Sequence, residues 1–384
     1  MRKAIAGLPA SRIREVANAG LGRSDVLAFW FGESDEVTPQ AAREAAVASL
    51  QAGETFYSHN LGLPALREAL RAYMGGLHGP VDVERIAVTS SGVSALMIAG
   101  QLLLEPGDDV VAVVPVWPNV TAQPAILGAA VRRVSLTVRE GAWTLDLQAL
   151  LDAITPRTRA VILNAPNNPT GWTLTREEQA SILARCRQTG TWIVADEVYE
   201  RLYFDDAGAP AAPSFLDLAD PADRVVVAHS FSKSFLMTGW RLGWLVLPQG
   251  LSGEVAKLIE FNTSCAPVFV QKGALAALAT AGETVPRLVA HLKACRDTLL
   301  PRLASLPRVT VASPRGGMYA FFKVDGESDS LAFAKRLVSE QGLGLAPGVA
   351  FGDEAEGWLR WCFASRDPSR LLAGVDRLAE GLRL

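Results

Sequence analysis

The chain has 384 residues, 49% of them hydrophobic and 20% charged, with 33 Gly and 22 Pro; this usage excludes a disordered, collagen-like or coiled-coil protein, and the length suggests two or three domains. Lys plus Arg number 37 and Asp plus Glu 40, a net charge of −3, which argues against a nucleic-acid or membrane-surface partner. Cys186, Cys265, Cys295 and Cys362 are far apart without a C-x-x-C pair, and His is equally sparse, so neither a disulfide framework nor a structural zinc site is expected.

The N-terminus, MRKAIAGLPAS, is basic without the apolar stretch of a secretory signal, and the longest apolar run, Ala95 to Leu104, is too short to span a bilayer. A reducing cytoplasm is therefore the expected location. A polar stretch, Gly32 to Pro39, precedes a helix expected over Gln40 to Gln51. Apolar, β-branched runs follow at Arg85 to Thr89, Val110 to Val114, Ala130 to Thr137, Arg159 to Leu163, Trp192 to Ala195 and Arg224 to Ala228, the pattern of buried parallel strands. Helical periodicity lies between them at Ser94 to Leu104 and Arg176 to Gln188, the latter with Thr175 and Glu178 spaced as a capping box.

This alternation predicts an α/β protein with a mostly parallel central sheet sandwiched by helices, its ligands gathered at the carboxyl ends of the strands. From about Leu251 the pattern turns to long helices such as Val285 to Leu303, then to strands at Met318 to Lys323 and Trp358 to Ala364. A smaller α+β domain is expected there. The predicted organisation is an N-terminal arm over 1–50 that packs with the small domain, a large domain over 51–285 and a small domain over 286–384.

Four loops after strands are more polar than a core requires. Asn164 to Trp172 reads NAPNNPTGW; turn chemistry accounts for its Pro and Gly but not for three asparagines. Asp196 follows four apolar residues and has Tyr199 one helical turn on, so it is either a helix N-cap or a carboxylate able to hold a protonated ring nitrogen. Lys233 sits in HSFSKSF with Arg241 eight residues later. It is either a snorkelling surface lysine or, if buried near another cation, a Schiff-base amine of lowered pKa. VTSSGVSAL, Val88 to Leu96, is a strand, a turn and a helix start suited to a phosphate, without being a Walker or dinucleotide motif.

Taken in order, S-G-x-S-A-L, N-N-P-T-G, D-E-V-Y, S-F-S-K-x-F with its later Arg, and R-W-C-F-A resemble the pyridoxal-phosphate-dependent aminotransferases of fold type I, class I/II, over Phe29 to Ala364. The resemblance implies pyridoxal 5'-phosphate as cofactor, bound as an aldimine to Lys233, and a ping-pong exchange between an amino acid and a 2-oxo acid. It implies that Asp196 keeps the pyridine nitrogen protonated, that Tyr199 and Asn168 bond the phenolic oxygen, and that Trp117 in PVWPNV stacks on the ring. Ser91, Gly92, Val93, Ser230, Ser232 and Arg241 then form the phosphate cup. Arg360 grips the substrate α-carboxylate with help from Asn168 and the backbone at Gly32.

Tyr57, in Y-x-x-x-x-G-x-x-x-L-R-E-A, corresponds to a tyrosine that reaches the phosphate of a neighbouring subunit, which implies a homodimer with shared active sites. The chain departs from the family's G-E-P-D pattern at Gly32-Glu33-Ser34-Asp35-Glu36. Trp30 and Phe31 favour a neutral or apolar substrate side chain, and spacing alone assigns no arginine to an acidic one. A carbon–sulfur β-lyase shares every cofactor residue and is the alternative reaction. A ligand-sensing regulator on the same fold is disfavoured because no basic DNA-binding helix is present.

Overall fold

The computed structural model describes residues 1–204 and 208–383. Its centre is a seven-stranded sheet in the order Ile86–Thr89, Gly243–Val246, Val225–Ser230, Trp192–Asp196, Thr158–Asn164, Asp109–Val114, Ala130–Ser135. All neighbours pair in parallel except Gly243–Val246, which runs against both of its neighbours. The expected α/β architecture is thus present, with six of the strands where the apolar runs placed them. The seventh, GWLV, opens on a glycine at the end of the polar segment that carries Lys233 and Arg241, so its short apolar run reads as part of that loop.

Continuous apolar runs suit these strands because both faces are covered. Val110, Ala112 and Val114 face one layer, together with Ala95, Leu96 and Ala99 of the helix Gly92–Leu103 and Val255 of the helix Ser252–Glu260. Val111 and Val113 face the other, with Leu66 and Leu70 of the helix Pro64–His78 and Ile182 of the helix Arg176–Thr189. The strand period of two survives inside an unbroken apolar run. The capping box at Thr175 forms as expected: its N–H donates to Glu178 at 2.7 Å, and the Glu178 N–H donates to the Thr175 hydroxyl at 3.1 Å.

A smaller antiparallel sheet joins Val309–Val311, Tyr319–Val324, Trp358–Cys362 and Ala346–Pro347. The N-terminal segment is tied to this end of the molecule, since Leu27–Ala28 pairs in parallel with Leu343–Gly344. We propose the division 1–50, 51–285 and 286–384 as the working domain scheme; its second boundary lies inside the helix Ala281–Ala304, which carries the chain across. Among the described residues no helix is long and apolar enough to cross a membrane.

One buried charge cluster ties the helix Pro64–His78 to the sheet. His78 donates to Asp217 at 2.8 Å and to Glu200 at 3.0 Å. Burial opposes its charge, but the two carboxylates outweigh that and hold its pKa up at about 10. Nearby His229 stacks on Trp244 at 4.9 Å, and burial pushes its pKa down to about 4, so it stays neutral. These groups act in packing.

Candidate active site

Three adjacent parallel strands end in polar residues at the same edge of the sheet: Asn164, Asp196 and Ser230. Asn164 and Asp196 are register partners, so parallel pairing sets their side chains side by side. The loops that follow carry Asn168, Tyr199 and Lys233, and the small sheet contributes Tyr319 and Arg360. These converge on a cavity of about 700 Å³, lined also by Gly32, Gly92, Val93, Trp117, Ser232 and Arg241.

Lys233 Nζ donates to the Gly32 carbonyl at 2.6 Å and lies 5.6 Å from the centre of the Tyr199 ring. Burial, reinforced by Arg360 and Arg241 and opposed by Cys362 and Glu33, brings its pKa down to about 8. Gly32 is required at its position because a Cβ there would lie 2.1 Å from the Tyr319 hydroxyl. That hydroxyl bonds the Tyr199 hydroxyl at 2.7 Å, and Asn168 Nδ2 reaches Tyr199 at 3.5 Å. Burial, then Tyr319, raises the Tyr199 pKa, so its phenol stays protonated and can donate. Arg360 Nη1 donates to Asn168 Oδ1 at 2.9 Å and Nη2 to the Trp30 carbonyl, while its guanidinium lies 4.4 Å from the Tyr319 ring centre and 4.9 Å from that of Phe351.

Asp196 is 1% exposed, and among the described residues its carboxylate accepts one long bond, from the Val198 N–H at 3.4 Å. Burial raises its pKa to about 7 against the pull of that N–H and of Lys233. A carboxyl raised from 3.8 to about 7 favours folding below pH 3.8, and this contribution disappears as pH rises through 7. In cofactor-stripped protein, Asp196→Asn is therefore expected to flatten the fall in melting temperature between about pH 4 and 7, as measured by thermal melts across that range.

Of the residues expected from sequence, twelve line the cavity and two do not. Ser91 instead caps the helix Gly92–Leu103, accepting from the Ser94 N–H at 3.0 Å, with its backbone held at φ 145°. A non-glycine residue in that region stores about 1–3 kcal/mol of strain. Tyr57 is 88% exposed and does not line its own chain's cavity. Trp30 turns into the core at 8% exposure, which leaves Phe31 as the aromatic residue of that pair in the lining. Tyr319 was missed; a hydroxyl in the otherwise apolar strand MYAFF was its only sequence signal. The segment Leu8–Arg14, which also lines the cavity, carried none.

The residues fit a phosphorylated pyridine cofactor. A buried carboxylate with one weak bond calls for a cationic donor such as a ring N–H. At another part of the lining, Arg241 bonds the Thr238 carbonyl at 2.6 Å and Ser232 Oγ at 3.4 Å and has no carboxylate partner among the described residues. Beside it the helix Gly92–Leu103 presents its N-terminus, a ready site for an oxyanion. Gly243 allows the turn to close up, since a Cβ there would lie 2.7 Å from the Gly92 nitrogen.

Comparison with known proteins agrees. Residues 25–378 match the family model of aminotransferase class I and II. An aspartate aminotransferase of Pyrococcus horikoshii is 31% identical over 97% of this chain and 94% of its own, and an arginine–pyruvate transaminase of Pseudomonas aeruginosa is 34% identical over 94% and 88%. The crystal structure of an aspartate aminotransferase from Thermotoga maritima superposes with a TM-score of 0.91 at 32% identity, covering all of both chains. The chain accordingly belongs to the class I and II aminotransferases and is a pyridoxal-phosphate-dependent transaminase.

Proposed function

We propose that Lys233 is the amine that carries the cofactor and moves the substrate proton, and that the enzyme passes an amino group from an amino acid to a 2-oxo acid in two half-reactions. The observation that carries this is the junction of Lys233, of pKa about 8, with Asp196, the Asn168–Tyr199 pair and Arg360 around one cavity. Bound pyridoxal phosphate supplies an electron sink that acidifies the substrate's Cα–H bond. Asp196 would hold the proton of the ring nitrogen. Tyr199 and Asn168 donate toward the phenolic oxygen, and Ser230, Ser232, Arg241 and the amides at Gly92 and Val93 bind the phosphate. Ser91 acts there by shaping the turn, and Trp117 covers the ring.

Arg360 holds the substrate carboxylate, and its own orientation is held by Asn168 Oδ1 and the Trp30 carbonyl. That anchor sets which substrate bond faces Lys233 Nζ. The test is a panel of amino donors and 2-oxo acids with the cofactor's visible absorption as readout. Bleaching by a donor and recovery with a 2-oxo acid is the expected result. Release of pyruvate and ammonia from cystathionine with no recovery step would replace amino transfer by β-elimination.

We further propose a homodimer in a reducing cytoplasm. Phe56, Tyr57 and Phe261 are 83%, 88% and 91% exposed, a poor state for large side chains of a monomer. Ser58, next to Tyr57, donates its N–H to Cys265 Sγ in the lining of a second open cavity, which also holds Val47, Leu50, Trp240 and Phe269 and shares Arg241 with the first. A partner seated there brings its Tyr57 toward the phosphate end of this chain's site. The four cysteines are free thiols, as suits a reducing compartment. Sedimentation at twice the chain mass is expected, and Tyr57→Phe is expected to weaken cofactor binding roughly tenfold, the worth of one bond to a charged group, by titration of the stripped protein.

A further inference from the structure

Tyr319 opens the strand Tyr319–Val324 of the small sheet and is fully buried beside the cavity. Its ring centre lies 4.4 Å from the Arg360 guanidinium, and its hydroxyl stands where only a glycine leaves room, since a Cβ on Gly32 would come within 2.1 Å of it. Ring and hydroxyl are thus held from both sides. The 2.7 Å bond to the Tyr199 hydroxyl is the only hydrogen bond this hydroxyl makes among the described residues.

The direction of that bond follows from where each proton can go. Arg360 is a pure donor, so the atom of Asn168 that meets it at 2.9 Å is the carbonyl oxygen, which turns the amide nitrogen toward Tyr199. An amide nitrogen only donates and cannot take the Tyr199 proton. Two acceptors remain for that proton: the Tyr319 hydroxyl and the phenolic oxygen of bound pyridoxal phosphate. The Tyr319 proton has one acceptor among the described residues, Tyr199. If Tyr199 donated to Tyr319, a buried proton would be left without a partner, which is costly. If Tyr319 donates to Tyr199, every proton of the chain is used.

Electrostatics favours the same order. Burial raises the pKa of both phenols, but at Tyr319 the adjacent Arg360 guanidinium opposes the rise, and so does the bond to Tyr199, whereas at Tyr199 the neighbouring Tyr319 adds to it. Tyr319 is therefore the more acidic phenol and the better donor.

Resting on the reading above that Tyr199 donates toward the cofactor's phenolic oxygen, we infer that Tyr319 is a positioning residue that donates to Tyr199 and so commits the Tyr199 proton to the cofactor. Accepting a bond polarises the Tyr199 hydroxyl and strengthens the bond it donates. A stronger donor there stabilises negative charge on the phenolic oxygen and lowers the pH midpoint of the amine-linked cofactor's visible absorption.

The test is a pH titration of that absorption in holoenzyme reconstituted with pyridoxal phosphate, for the wild type, Tyr199→Phe, Tyr319→Phe and the double variant. Tyr199→Phe is expected to raise the midpoint by roughly one to two pH units, the worth of a bond to a charged oxygen. Tyr319→Phe, which keeps the ring against Arg360, is expected to raise it by roughly 0.1 to 0.6 unit, the share by which one bond strengthens the next in a chain. The double variant should match Tyr199→Phe, because Tyr319 acts through that hydroxyl. A midpoint that falls or stays put in Tyr319→Phe, or that rises further in the double variant than in Tyr199→Phe, overturns the inference. A shift in Tyr199→Phe without one in Tyr319→Phe removes only the role of Tyr319, whereas an unmoved midpoint in Tyr199→Phe takes Tyr199 off the phenolic oxygen and the inference with it.

Discussion

Replacing Lys233 by alanine is expected to lower turnover by at least about 10⁴-fold, the upper end of what a positioned general base contributes, because the same amine also carries the cofactor. The visible absorption of the amine-linked cofactor should vanish with it. The fold should persist. Burial lowers the Lys233 pKa from 10.5 to about 8, so at pH 7 the amine is still mostly charged and its burial as a cation costs the folded protein stability. Stability that depends on this group is present above pH 10.5 and lost as pH falls through 8. At pH 7 the alanine variant of cofactor-stripped protein should melt no more than a few degrees from the wild type. Transamination at the normal rate would remove Lys233 from its role.

Arg360→Ala should act on the substrate rather than the cofactor. A charge-assisted bidentate partner for a desolvated carboxylate is worth about 2 to 5 kcal/mol, which is roughly 30-fold to several-thousand-fold in kcat/KM. The loss should appear for every amino acid, since each has the α-carboxylate, and the cofactor's absorption should remain. Arg360→Lys should recover little, because a single ammonium cannot reproduce a fork that also spans Asn168 Oδ1 and the Trp30 carbonyl. An unchanged kcat/KM in the alanine variant would move carboxylate recognition to another arginine.

The strands and the site differ in how much of each is legible in one dimension. Six strands were readable because buried parallel strands need continuous apolar runs, and the ends of those runs put Asn164, Asp196 and Ser230 at one sheet edge. Gly243–Val246 was not, since it opens on a glycine directly after the loop that carries Lys233 and Arg241 and so has no boundary in the pattern. Tyr319 illustrates the same limit within the site. Its strand identity was evident, but its bond to Tyr199 joins residues 120 positions apart and depends on how the small sheet docks on the large one.

By itself the sequence determined the α/β class, the family and the loops that carry the chemistry, because parallel strands impose apolar runs and loops at strand ends are free to be polar. Only the tertiary structure decided which of those polar groups lack partners. Among the described residues Asp196 has one long bond, Tyr57 is exposed and Trp30 turns into the core. The reason is physical: a side chain's charge and free bonding capacity depend on its desolvation and on neighbours far away in the chain, and only packing brings those together.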